Sequence, residues 1–162
     1  CYVTEKGLMN GTSASTFSPD AAMTRAMMVT ILWRMEKEPA ALKSNFTDLT
    51  ADWYRTAVDW AAETGVVNGV GNGKFAPNAT LSLEQLITIL YRYAENKGYN
   101  VSKSASLDSF TDGSAVSAYA RPAMQWAVGM NFLSGNTLTP GAPASRAQIA
   151  QVLMLFCKAY IK

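Results

Sequence analysis

The stretch "WAAETGVVNG", Trp60 to Gly69, decides the fold, because the chain carries it in three versions. "YVTEKGLMNG" (Tyr2 to Gly11) and "WAVGMNFLSG" (Trp126 to Gly135) align with it without gaps. Each copy runs through a short loop into a second shared segment: "FSPDAAMTRAM" from Phe17, "FAPNATLSLEQ" from Phe75 and "LTPGAPASRAQ" from Leu138. A further shared element precedes the aligned Trp in two copies, "FTDLTADWYRTAVDW" from Phe46 and "FTDGSAVSAYARPAMQW" from Phe110. Its counterpart in the first copy would lie ahead of Cys1, so the chain is expected to be a fragment or a processed piece. Self-similarity of this kind marks a tandem-repeat architecture. The repeats are 1–38, lacking its first element, 46–95 and 110–162, within one domain over residues 1–162.

Periodicity predicts two helices per repeat. In the second, Met28, Ile31, Leu32 and Met35 fall at i, i+3, i+4 and i+7. The same frame gives Leu86, Ile89, Leu90 and Tyr93, then Ile149, Val152, Leu153 and Phe156. Matching apolar stripes on three equivalent helices predict an all-α fold with a central three-helix bundle in pseudo-threefold arrangement. The first helices, marked by Trp53, Tyr54, Ala57, Val58, Trp60 and Ala61 and by Tyr119, Ala123, Met124, Trp126 and Ala127, would pack outside it as prongs.

Asn10-Gly11, Asn68-Gly69 and Ser134-Gly135 read as turns that allow positive backbone angles. Gly7 and Gly65 fit helix C-caps, with Asn131 the next best residue in repeat three. Pro19, Pro77 and Pro140 stop any early helix. Ser82 with Gln85 and Ser145 with Gln148 fit capping boxes, whereas Thr24 supplies a cap alone.

Composition excludes several classes of function. Of 162 residues 49% are hydrophobic, as a globular chain with a sizeable core requires, and 16% are charged, so Ser, Thr, Asn and Gly must build much of the surface. A net charge of +2 gives no argument for nucleic acid. No stretch approaches the roughly 20 apolar residues of a membrane span, so no membrane insertion is expected. The absence of histidine removes the commonest general base, the commonest zinc ligand and every Ser-His or Cys-His pair. Cys1 and Cys157 read as small hydrophobes, with a bridge between the chain ends left open.

The string F-T-D, W-A, G-V-V-N-G, F-x-P and (T/S)-R-A-(E/Q), in three registers, resembles the S-layer homology domain, whose three tandem repeats anchor proteins to bacterial cell walls. The resemblance implies a spindle whose inter-repeat grooves bind an anionic secondary cell wall polysaccharide, often of the pyruvylated N-acetylmannosamine type. It implies an extracellular cell wall or S-layer location, a monomer with an internal pseudo-trimer, and neither catalysis, cofactor nor metal. The arginine of the Thr-Arg-Ala-Glu motif meets the negative group of the glycan. By position that role falls to Arg146 first and Arg25 second, with the caps Ser145 and Thr24 and with Gln148. Asp48, Asp112, Trp60, Trp126, Gly11, Gly69 and Gly135 are carried over as their partners.

That role fits an oddity of "MTRAM" (Met23 to Met27) and "ASRAQ" (Ala144 to Gln148). A cation in the first turn of a helix faces the positive end of its dipole, a mismatch of about 0.3–1 kcal/mol. A capped helix N-terminus with free N–H groups is an anion site, and Arg adds a planar fork, so a bound anion would reverse the mismatch. The bland reading has each Arg solvated or paired, Arg25 with Asp20 for example. Two departures from the motif stand out: Leu83 occupies the arginine position of repeat two, and Met27 replaces the glutamate of repeat one.

The rival readings are a protein-binding assembly scaffold with glycan binding reduced or lost, and an enzyme using paired carboxylates among Asp48, Asp52, Asp59 and Glu63. Those carboxylates recur as helix-start or solvated-face residues. "GVGNG" (Gly69 to Gly73) lacks the lysine of a phosphate loop and reads as a turn. The linkers "EKEPAALKSN" (Glu36 to Asn45) and "AENKGYNVSKSASLDS" (Ala94 to Ser109) join the repeats. The second is expected to be mobile, with Lys97 and Lys103 solvated.

Overall fold

Thr24, Ser82 and Ser145 each end an extended segment and accept, through the side-chain hydroxyl, the amide three residues on. The helices that follow are therefore fixed at their starts by local chemistry. The computed structural model describes residues 22–161. In chain order these form α1 (Arg25–Met35), a 3-10 turn (Asp52–Tyr54) running into α2 (Arg55–Thr64), α3 (Leu83–Asn96), 3-10 turns at Gly113–Ala115 and Ala118–Ala120, α4 (Arg121–Gly129) and α5 (Arg146–Tyr160). Among the described residues the extended pairings are isolated bridges, so the fold is all-α.

The expected stripes are buried in all three second helices, Met35 only partly, and they enter one continuous core cluster with the inward faces of α2 and α4. Capping boxes form at Ser82/Gln85 and Ser145/Gln148, and Thr24 caps alone. Gly65 (φ 77°) and Asn131 (φ 62°) take the left-handed conformation after α2 and α4, as their residue types predict. Gly7, Asn10, Gly11 and Pro19 lie outside the described residues.

The repeats interlock through backbone. The residues just before the caps close a cyclic trio: Met23 N–H donates to the Ala144 carbonyl at 2.8 Å, Ala144 to Leu81 at 2.9 Å, and Leu81 to Met23 at 2.9 Å. The first amides of α1 donate to carbonyls of repeat two, Arg25 to Ala79 (3.0 Å) and Ala26 to Pro77 (2.9 Å). The first amides of α3 do the same with repeat three, Leu83 to Ala142 and Glu84 to Pro140, both at 3.0 Å. The prolines thus contribute carbonyls to a neighbour's helix as well as ending their own segment. Close helix pairs also cross repeat boundaries, α1 with α2 and α3 with α4.

Asp48 and Asp112 were candidates for helix caps or groove partners; they are ties between segments. Asp48 accepts the amides of Phe75 (2.9 Å) and Ala76 (2.8 Å), and Asp112 those of Leu138 (2.8 Å) and Thr139 (2.7 Å). Asp48 is partly desolvated, yet these amide donors hold its carboxyl below the ordinary carboxylate value. The Leu138 and Thr139 amides do the same for Asp112.

The second linker is packed rather than mobile. Tyr99 stacks on Tyr160 at 4.9 Å, the Tyr160 hydroxyl donates to the Asn100 carbonyl at 2.7 Å, and Ala105 N–H reaches the Gln125 carbonyl at 3.0 Å. Lys97 is not simply solvated: it pairs with Glu36 at 3.1 Å, which also accepts the Tyr93 hydroxyl. The first linker is held by Asp59, which accepts from Ser44, and by Glu63, which accepts from the Leu42 amide. These two carboxylates serve the fold.

Candidate functional site

Arg25 begins α1, yet its side chain leaves repeat one. Nε donates to the Phe75 carbonyl at 2.9 Å, Nη2 donates to the Asn68 carbonyl at 2.7 Å, and the guanidinium carbon sits 4.8 Å from the centre of the Phe75 ring. Desolvation lowers its pKa and the charge of Asp48, behind Phe75, opposes that shift. The first-turn mismatch is therefore resolved by carbonyls, a ring and a carboxylate of the next repeat. At the start of α1 the helix-end anion site expected from sequence does not form: the Arg25, Ala26 and Met27 amides are taken by Ala79, Pro77 and the Thr24 hydroxyl. A guanidinium has five N–H donors. Two of Arg25's are committed, and its side chain also lines a groove.

That groove, of about 330 Å³, runs between the repeats. It is lined by Arg25, by the Val67-Asn68-Gly69 turn, by Leu81 and by Gln85, Thr88, Ile89 and Arg92 of α3, with Tyr119 contributed by repeat three. Gln85, Thr88 and Arg92 share a face because they are spaced at three and four residues along a helix. The turn approaches closely because residue 69 has no side chain: a Cβ there would lie 2.6 Å from the Phe46 ring and 2.8 Å from the Lys74 carbonyl oxygen. Close approach, and not a positive φ, is what requires Gly69; Gly135 does have one, at 104°.

A second groove of about 350 Å³ occupies the next inter-repeat position, lined by Leu83, Phe132, Leu133, Ser134, Gln148, Gln151 and Val152. In repeat register Leu83 replaces Arg25, Ser134 replaces Asn68, Gln148 replaces Gln85 and Gln151 replaces Thr88. Arg92 is replaced by Leu155, so both cations of the first groove are gone. Arg146 is only 6% exposed, and desolvation lowers its pKa. The residues in register with Asn68, Gly69 and Phe75 for Arg146 are Asn10, Gly11 and Phe17, outside the described residues.

Of the residues nominated from sequence, Arg25 and Gly69 meet in one groove and Gln148 lines the other. Thr24 and Ser145 are caps. Trp60 and Trp126 are core residues, Trp126 packed edge-on against Tyr91, Phe132 and Phe156. Among the described residues the exposed rings are instead Trp53 and Tyr119, 52% and 56% accessible, at equivalent positions of the 3-10 turns that lead into α2 and α4. Arg92, Gln85 and Tyr119 were missed. The recurrence of an aromatic seven residues before each core Trp was the available signal for Tyr119.

Helical repeats joined across their boundaries by backbone hydrogen bonds, with a groove lined by two arginines between them, define an all-α tandem-repeat module. The chain belongs to the S-layer homology family: the S-layer homology domain matches residues 1–27, 45–87 and 109–150. It is 33% identical over 156 residues to an endoglucanase of Bacillus sp. (strain KSM-635), covering 92% of this chain and 16% of that protein. It is 30% identical over 155 residues to the surface-layer 125 kDa protein of Lysinibacillus sphaericus, covering 91% and 13%. A cellulosome-anchoring protein of Acetivibrio thermocellus is 26% identical over 105 residues, covering 61% and 24%. The chain thus spans less than a quarter of the length of each. As an S-layer homology module it is a cell-surface anchoring unit, associated with the cell wall.

Proposed function

We propose that this module anchors its parent protein by binding an anionic secondary cell wall polysaccharide, of the pyruvylated N-acetylmannosamine type, in its inter-repeat grooves. The observation that carries the reading is the Arg25 groove. A guanidinium already oriented by two carbonyls and a ring presents its remaining donors beside the Arg92 cation, the Gln85 amide and the face of Tyr119. A carboxylate on a sugar would gain charge-assisted hydrogen bonds without ordering the arginine first. Tyr119 offers an apolar face for a pyranose ring. Arg146 is proposed to serve the third inter-repeat groove, in which α1 carries Arg34 and the following turn carries Trp53, in register with Arg92 and Tyr119. The Leu83 groove, without either cation, is proposed to be silent toward the anion.

A scaffold for a protein partner is favoured at the Leu83 groove alone, where Leu83, Phe132, Leu133 and Val152 make the lining apolar. Co-sedimentation with purified wall sacculi tests the main reading. Binding is expected to intact sacculi and to vanish once the secondary polysaccharide is stripped; undiminished binding to stripped sacculi would overturn it.

A further inference from the structure

The amide that opens the first helix of a repeat needs an acceptor, and repeats two and three supply it differently. In repeat two Ala51 N–H donates to the Tyr54 hydroxyl at 3.3 Å, alongside Thr50 N–H at 3.0 Å, so the turn is tied within its own repeat. In repeat three the residue in register with Tyr54 is Ala120, which offers no hydroxyl. Ser117, in register with Ala51, donates its amide to Glu84 Oε2 at 2.8 Å and its hydroxyl to Oε1 at 2.6 Å. Glu84 belongs to α3, in repeat two. The turn is tied across the repeat boundary instead.

Glu84 is 7% exposed, and the residues in register with it are Ala26 and Ala147. Helix packing at this position therefore does not require a carboxylate, and burying one is costly unless its oxygens are satisfied. Ser117 satisfies both. Two residues beyond Ser117, on a 3-10 turn of three residues, stands Tyr119, which lines the groove together with Gln85 and Arg92 of the same α3. The Glu84 charge also reaches the Tyr119 hydroxyl, whose pKa is raised first by burial and then by Glu84.

We infer that Glu84 is the positioning residue of the Arg25 groove: by taking both donors of Ser117 it fixes the Tyr119 ring as the outer wall against α3. Its effect on affinity rests on the proposed glycan reading, whereas the placement of Tyr119 is read without ligand. The test uses the full chain and two measurements. Nuclear Overhauser contacts from the Tyr119 ring to the Gln85 and Arg92 side chains are expected in the wild type and lost in Glu84→Ala. Ser117→Ala, which deletes a single hydrogen bond, keeps this measurement available should Glu84→Ala not fold, and it is expected to weaken the same contacts. In titration with a pyruvylated N-acetylmannosamine glycan, Glu84→Ala is expected to weaken binding about fivefold or more, and to add nothing in a Tyr119→Ala background. Glu84→Gln, which keeps an acceptor for the Ser117 amide, is expected to fall between. Persistence of the Tyr119 contacts in both Glu84→Ala and Ser117→Ala, or additive losses from Glu84→Ala and Tyr119→Ala, would overturn the inference. Absence of glycan binding by the wild type would overturn the functional reading, and the Overhauser contacts would still decide the position of Tyr119.

Discussion

The Arg25 guanidinium of the first repeat donates to the Asn68 carbonyl of the second at 2.7 Å, across 43 residues of chain. One side chain thus fastens two repeats and furnishes a groove between them. A structural tie and the proposed anion contact thus fall on the same residue, and substitutions that treat its charge and its planar fork differently separate the two.

Arg25→Ala is expected to lower stability by about 1–3 kcal/mol, the range for hydrogen bonds made by a charged group, measured by urea unfolding. Arg25→Lys keeps the charge but cannot span the Asn68 and Phe75 carbonyls with a planar fork. It should recover part of any glycan affinity and little of the stability.

Asp48 and Asp112 make stability depend on pH. Their folded carboxyls titrate below the ordinary value, so the stability they confer is fully present above the unfolded pKa, about 3.9, and is lost as pH falls through the lower folded value. Thermal unfolding should show the melting temperature dropping in that acid window. Asp48→Asn should lower it at neutral pH and flatten the acid limb.

Gly69→Ala is expected to cost about 1–3 kcal/mol, as overpacking does, because the Lys74 carbonyl oxygen cannot move aside as a flexible side chain would. Gly135→Ala meets nothing within 4 Å and pays only for its positive φ, about 1–2 kcal/mol. Thermal melts of the two, with glycan titration, should show that only Gly69→Ala also displaces the Asn68 carbonyl and so weakens the groove.

Leu83→Arg alone is expected to restore little anion binding, because Leu155 leaves the second cation missing. The double variant Leu83→Arg/Leu155→Arg should add one binding equivalent per chain in calorimetry. Its affinity should exceed that of the single variant by roughly tenfold, the worth of one charge-assisted hydrogen bond of about 1.5 kcal/mol.

What could be read in the sequence was what depends on near neighbours along the chain. The stripes from Met28, Leu86 and Ile149, the caps at Thr24, Ser82 and Ser145, and the left-handed Gly65 and Asn131 follow from spacing and residue type. The destination of the Arg25 side chain does not, since it is set by how repeat one meets repeat two. The same holds for the first amides of α1, which sequence left free for an anion and the neighbouring repeat in fact occupies. Alignment singled out Trp60 and Trp126, but the residues most alike between repeats are those the core constrains most. Trp53 and Tyr119, read from sequence as part of the first helices, sit seven residues earlier in 3-10 turns, where the helical frame no longer fixes which side chains face the core. The polar composition of the second linker concealed Tyr99, whose ring stacks on a residue 61 positions away.

The most direct measurement is calorimetric titration of the folded chain with a synthetic pyruvylated N-acetylmannosamine glycan and its twin lacking the pyruvyl group. Saturable binding of the first, none of the second, and a loss of roughly ten- to a hundredfold on Arg25→Ala or Arg146→Ala are the predicted results. Equal binding of the two glycans, or affinity unchanged by both substitutions, would contradict anion recognition in the inter-repeat grooves.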